Sequence, residues 1–403
     1  MSRSPQQSNT HTSLKFNNLP TLLRDVRFWR IAGQVIAIIL IVAVVAVLAD
    51  NLIYNLRQLG IELGFDFLQS QASFDIGESL IAYNPSNSFG RAVIVGLVNS
   101  LRVMGLGLIL TTFVGLVVGI ARLSDNWLLR NLALVYVETF RNIPLLLQLF
   151  FWYFAVFLKL PPIEQPITLP GSIFVSSRGV ILPWLVSNAA TGIWLLVLGI
   201  GLLGTAGVWQ WRSRIRVEQG RPGQQGLWAL GVLVLAVFLA LIVTRTVPFT
   251  ISLPQAHDTQ QIVGGLWLSP EFCTILTGLV MYTASFIAEI VRAGIQAVPK
   301  GQGEAAKALG LKGALVMRLV ILPQALRVII PPLTSQYLNL AKNSSLAIAI
   351  GFPDLYFVAS TTFNQTGRVV EVMVILMVTY LTISLVLSIV MNLINANVQL
   401  KER

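Results

Sequence analysis

Eight apolar runs bounded by polar or turn-forming residues organise the chain, at about 31–49, 94–121, 144–160, 181–209, 226–244, 271–295, 325–351 and 370–394. Runs of about 17 to 25 apolar residues match the hydrocarbon thickness of a bilayer at the helical rise, so each is expected to span a membrane. The pattern predicts an all-α, polytopic membrane protein. A further helical stretch between the second and third runs reads as interfacial. The short polar segment between the sixth and seventh runs has its own logic. Glu304 opens a helix-forming run, Lys307 complements the dipole at its end, and Gly310 suits a left-handed cap. A second helical run from 312 to 322 then meets Pro323, which predicts a bend.

Composition agrees with this reading. Hydrophobic residues make up 55% of the 403 and charged residues 11%, against about 25% charged in soluble domains. The net charge of +11 is concentrated in short segments between apolar runs, as expected beside anionic lipid and not of a nucleic-acid-binding protein. Lys15, Arg24, Arg27 and Arg30 precede the first run, Arg122 and Arg130 follow the second, Arg212, Arg214, Arg216 and Arg221 lie between the fourth and fifth, and Lys401 and Arg403 follow the eighth. The positive-inside rule places these segments, both termini and the 304–323 loop in the cytoplasm. Lys159, Arg178, Arg245 and Arg368 fall singly at outer span ends. The long segment ahead of the first run reads as belonging to an uncleaved anchor. Cys273 is the only cysteine and has no internal disulfide partner, and His11 and His257 lie outside the apolar runs, so no metal or haem site is expected.

The series Glu304-Ala305-Ala306, Gly310, then Val320-Ile321-Leu322-Pro323 resembles the EAA loop of ABC importer permeases, with Val320 where the pattern has Ile. The resemblance extends to 88–157, including Tyr136-Val137-Glu138-Thr139-Phe140-Arg141-Asn142-Ile143-Pro144, and to 271–392, including Ala288-Glu289-Ile290-Val291-Arg292 and Lys342-Asn343-Ser344-Ser345-Leu346. These series are similar to the two parts of a polar amino-acid permease domain. The long eight-span layout resembles one permease of the general L-amino-acid and glutamate/glutamine/aspartate importers of Gram-negative bacteria. Four regions follow: 1–87, a cytoplasmic N-terminus, extra span and periplasmic segment; 88–160, the first part of the permease domain; 161–268, an inserted pair of spans; and 269–403, the second part, with the coupling loop at about 296–323.

The resemblance implies a type I ABC importer permease in the inner membrane. Its implied partners are a second homologous permease in a heterodimer, two cytoplasmic ATPases that use ATP and magnesium, and a periplasmic amino-acid-binding protein. Glu304, Ala305, Ala306, Gly310, Leu322 and Pro323 are then the ATPase-coupling residues. The chain shows no Gly-x4-Gly-Lys-Ser/Thr phosphate loop, so no ATPase activity and no bound cofactor are expected of it. Polar groups in apolar spans are costly and usually face a cavity or a partner. On that ground Glu289, Asn343, Ser344, Ser345 and Arg102 are candidates for the substrate path, against the plainer readings of helix-helix hydrogen bonding and a Glu289–Arg292 pair. Glu138, Arg141 and Pro144 read as a structural or gating corner, and the aromatic run 150–154 as a lipid-facing belt. An ion-coupled secondary transporter and a membrane assembly subunit without transport activity are the alternative readings.

Overall fold

The computed structural model describes residues 26–58, 64–219, 224–257 and 261–398; Lys15, Arg24, Glu62, Arg221, Asp258, Lys401 and Arg403 lie outside the described residues. The chain divides into two compact units at Phe65 and Asp66. In the first, α1 is an uninterrupted apolar helix, Val26–Gln58. Ala72 and Ile76 are buried with Phe89, Ala92, Val95 and Val358, which binds them into the second unit.

In the second unit α2 (Phe89–Ala121), α3 (Trp127–Asn142) and α4 (Leu145–Phe150) come first. A π-helical stretch, Phe151–Val156, and a 3-10 turn, Phe157–Lys159, prolong α4. The third apolar run is therefore half of a broken element, since 127–142 and 145–159 meet at 107°. Pro144 forces this. Ile143 before it is driven to extended geometry (φ −100°, ψ 128°), and the proline has no N–H to continue the helix.

The region expected to hold two inserted spans with loops carries a small β layer within those loops. Strands β1 (Ile167–Leu169), β2 (Ile173–Ser176), β3 (Gly179–Leu182) and β4 (Trp184–Ser187) precede α5 (Thr191–Gln219) and α6 (Gln225–Thr244). β5 (Phe249–Ser252), β6 (Gln255–His257), β7 (Gln261–Val263) and β8 (Leu266–Leu268) follow. All the pairings are antiparallel: β1-β2-β3-β8 form one sheet, and β4-β5 and β6-β7 are two-stranded. The fourth span thus begins at Thr191 and not at 181, because Trp184–Ser187 find hydrogen-bond partners in Phe249–Ser252 instead of helical ones. α5 and α6 pack chiefly on each other.

The remaining elements are α7 (Pro270–Gln296), α8 (Lys300–Ala308), α9 (Gly313–Val316), a π-helical turn at Met317–Ile321, α10 (Leu322–Asn343), a 3-10 stretch at Ser344–Ile350, α11 (Leu355–Thr366) and α12 (Val369–Val398). Pro323 does not produce the expected bend. It sits in the first turn of α10, where a missing N–H is tolerated, and 313–350 forms one span. Among the described residues seven helices are long and apolar enough to cross a membrane, and the bent pair makes eight.

Packing shows how the bent pair must be counted. Thr111 of α2 bonds Val280 of α7, and further along Gly119 meets Ala288 and Val291, so the two helices run parallel. A Cβ on Gly119 would stand 2.8 Å from the Ala288 carbonyl oxygen, so only glycine permits this approach. Between parallel spans the chain crosses an odd number of times. α5 and α6 supply two crossings and return to the same β layer, so α3 and α4 together supply the third. Leu149, Phe272, Ile275, Leu279 and Phe352 fill the core between α4, α7 and the end of the 3-10 stretch.

Candidate functional site

The loop between α7 and α10 is built as a finger. Gly310 adopts φ +81°, its N–H bonds Lys307 O at 2.9 Å, and Leu311 N–H bonds Ala306 O at 3.2 Å. That pair of bonds stops α8 and satisfies its last carbonyls. Ala306 is buried and seats α8 on the 313–321 segment, whereas Glu304, Ala305 and Lys307 are exposed. Leu309 is 84% exposed at the tip, an apolar side chain that none of the described residues covers. Leu322 and Pro323 open α10 directly behind the finger.

That same helix carries a polar stripe. A cavity of about 280 Å³ lies between α7 and α10, lined by Tyr282, Thr283, Phe286, Gln336, Asn339 and Asn343. Positions 336, 339 and 343 repeat at helical spacing and so share a face. The structure brings Asn343 to this cavity but turns its neighbours away: Ser344 Oγ donates to Ala341 O and Ser345 Oγ to Lys342 O, both at 2.8 Å. Gln336 and Asn339 were not among the residues expected, although their spacing from Asn343 inside an apolar run is a signal the sequence does carry. A larger cavity, about 730 Å³, lies between α2, α7 and the base of α10 and is lined by groups such as Leu116, Val291, Met317 and Leu326. It offers almost no hydrogen-bonding partners, so a charged small molecule would be costly to place there.

Glu289 lines neither cavity. Arg122 at the end of α2 and Arg292 one turn along α7 both donate to it, Arg292 Nε at 3.1 Å. Arg102 is drawn inward, its Nη1 donating to Glu78 Oε1 at 2.6 Å and its Cζ lying 4.0 Å over the Phe272 ring. At the corner near Pro144, Arg141 stacks 5.2 Å from the Phe286 ring, while Glu138 accepts from Asn142 Nδ2 at 3.3 Å. Gln148, buried, donates to Phe140 O and Ile143 O and closes the break before Pro144. In the aromatic run, Phe151 and Phe154 are exposed, but Phe150 and Tyr153 pack on the core. Among the described residues no group of three or more His, Cys, Asp or Glu is placed to hold a metal ion.

The bundle of apolar helices thus carries a polar stripe and an exposed finger. Residues 225–400 match the family described as binding-protein-dependent transport system inner membrane component. The chain is 42% identical to the general L-amino acid transport system permease protein of Rhizobium johnstonii, over 94% of each chain. It is 41% identical to a putative amino-acid ABC transporter permease of Escherichia coli K12, over 99% of this chain and 100% of the relative. With the glutamate/glutamine/aspartate/asparagine transport system permease of Rhodobacter capsulatus it shares 40% identity, over 96% of this chain and 97% of that one. The chain belongs to this family of inner membrane components of ABC transport systems. It is a multi-pass membrane protein.

Proposed function

We propose that the chain forms one half of an ATP-driven import path for polar or general L-amino acids, with its finger seated in a cytoplasmic ATPase. The observation that carries this reading is continuity: the exposed finger at 300–310 and the polar stripe Gln336, Asn339 and Asn343 are joined through α10. A helix of that length is about 33 Å long at 1.5 Å per residue, so displacement of the finger reaches the stripe. Pro331 and Pro332 lie between them. Each removes a helical hydrogen bond and marks a place where α10 can flex.

In this reading the 296–323 loop and both termini are cytoplasmic, and the β layer and residues 66–87 face the periplasm. The second permease is a homologous but different subunit, two ATPases bind ATP and magnesium, and a periplasmic protein delivers the amino acid. Asn339 and Asn343 offer amide donors and acceptors that can match an ammonium and a carboxylate. Glu289 serves as the clamp between α2 and α7. The names of the relatives, which specify amino-acid permeases, support the substrate class. The test is uptake of labelled glutamine into proteoliposomes holding the assembled complex and loaded binding protein. Uptake should require ATP on the ATPase side, and uptake driven by an ion gradient alone would refute the proposal.

A further inference from the structure

At the end of the bundle opposite the finger lies a second polar cavity, of about 530 Å³, within the range that holds small-molecule ligands. Its walls come from three parts of the chain: Asp75 and Glu78 ahead of α2, Arg178 and Trp267 from the β layer, and Glu271 with Phe357 from the ends of α7 and α11. Glu78 is already neutralised, since Arg102 bonds it at 2.6 Å and the Ser269 hydroxyl donates to its other oxygen.

The other charges are less committed. Glu271 receives the Tyr153 hydroxyl at 2.7 Å on Oε1, and Asp75 receives the Ile76 N–H at 2.8 Å on Oδ1. Among the described residues neither has a hydrogen-bond donor on its second oxygen. The backbone of Arg178 is fixed on both sides, its N–H donating to Ser176 Oγ at 3.3 Å and its carbonyl accepting Trp267 Nε1 at 2.8 Å. Arg178 itself is exposed and lines the cavity from this fixed stretch of backbone. One guanidinium carried on an anchored backbone and two carboxylates with spare acceptors, among the residues that line one cavity, complement a molecule bearing a carboxylate and an ammonium on the same carbon. Trp267 and Phe357 leave an apolar wall for whatever side chain that molecule carries.

We propose that this cavity is an antechamber for α-amino acids, Arg178 receiving the carboxylate and Asp75 and Glu271 the ammonium before passage to the α7–α10 stripe. The proposal rests on the import reading above. It gives residues 161–268 a part in substrate capture, because Arg178 and Trp267 belong to that segment. Two carboxylates against one free guanidinium also disfavour amino acids with acidic side chains at this step.

The experiment uses the assembled complex in nanodiscs without binding protein, and equilibrium binding of glutamine, glutaminamide, N-acetylglutamine and glutamate. Glutamine should bind, and blocking either end or adding the side-chain charge should weaken binding about tenfold, the scale of one charged hydrogen bond. Arg178→Gln should weaken glutamine about tenfold and bind glutaminamide no worse than wild type, while Arg178→Lys recovers part of the loss. Arg178 is exposed on a turn, and unchanged thermal unfolding of the variant would show that it folds. Absence of glutamine binding to the wild-type complex, or wild-type affinity in Arg178→Gln, overturns the antechamber. ATP-dependent uptake that persists alongside either result leaves the import reading standing, whereas loss of uptake in the wild type removes both.

Discussion

Arg122, which caps the end of α2, donates to Glu289 of α7, 167 residues later, and joins two parallel spans. Arg292 donates to the same carboxylate, so one anion holds two guanidinium groups. Glu289→Gln should therefore cost more stability than Arg122→Gln, because it leaves two cations facing each other. The cost is expected to be about 1–3 kcal/mol, reduced from the fully buried case by partial exposure. Thermal unfolding in detergent checks the order; equal midpoints for the two variants would count against the clamp.

Gly310 turns the chain at φ +81°, which a β-branched residue adopts only under strain. Gly310→Val is expected to lower ATP-driven uptake at least tenfold while membrane insertion is retained. Gly310→Asn, tolerated in the left-handed region, should keep most of the uptake. Reconstituted uptake and ATPase rates measured together distinguish uncoupling from misfolding, and a fully active Gly310→Val would contradict the finger's role.

Asn339 and Asn343 line the cavity between α7 and α10. Replacing either by leucine leaves the membrane cost low but removes two donors and an acceptor. Uptake at a fixed amino-acid concentration should drop by about tenfold, the equivalent of about 1.4 kcal/mol, while the ATPase remains responsive to loaded binding protein. Unchanged uptake in the double variant would remove the stripe from the path.

Asp354 caps α11, its Oδ1 accepting Phe357 N–H at 2.8 Å. It is buried beside Tyr380, and its Oδ2 has no hydrogen-bond partner among the described residues. Burial pushes its carboxyl up to about 7, with the backbone N–H bonds of Phe357 and Tyr356 opposing. The folded state therefore favours the protonated form. Its stabilising contribution is complete below the unfolded value, near 4, and is lost as pH rises through about 7. The unfolding midpoint should fall between pH 5 and pH 8, and Asp354→Asn, which retains an N-cap, should flatten that fall. An Asp354→Asn profile parallel to the wild type would refute this assignment.

The finger was legible in the sequence because its determinants are local: a helix-forming run, a glycine at its end and a proline one helix later. The spans were legible for the same reason, apolar length being a property of consecutive residues. What escaped depends on partners distant along the chain. Trp184–Ser187 is as apolar as the start of a span and becomes a strand only because Phe249–Ser252 returns to pair with it. Arg102 inside α2 was visible as an anomaly, but its partner Glu78 lies in a segment with no periodic pattern. Pro323 misled in the other direction, since it falls in the first turn of α10, where the missing N–H is tolerated, and the helix continues even through Pro331 and Pro332.

The pairing of β3 with β8 has a further consequence. Val180 faces Leu268 and Leu182 faces Leu266, so the chain leaves toward α5 and returns from α6 about one strand spacing away, near 4.8 Å. With its two ends already side by side, the excursion adds length at a cost that grows only logarithmically. α4 and α7 are held at the same separation whether the intervening stretch is a tight hairpin or two helices. The ladder therefore closes the excursion at its root, so that the helical pair hangs from a junction only one strand spacing wide.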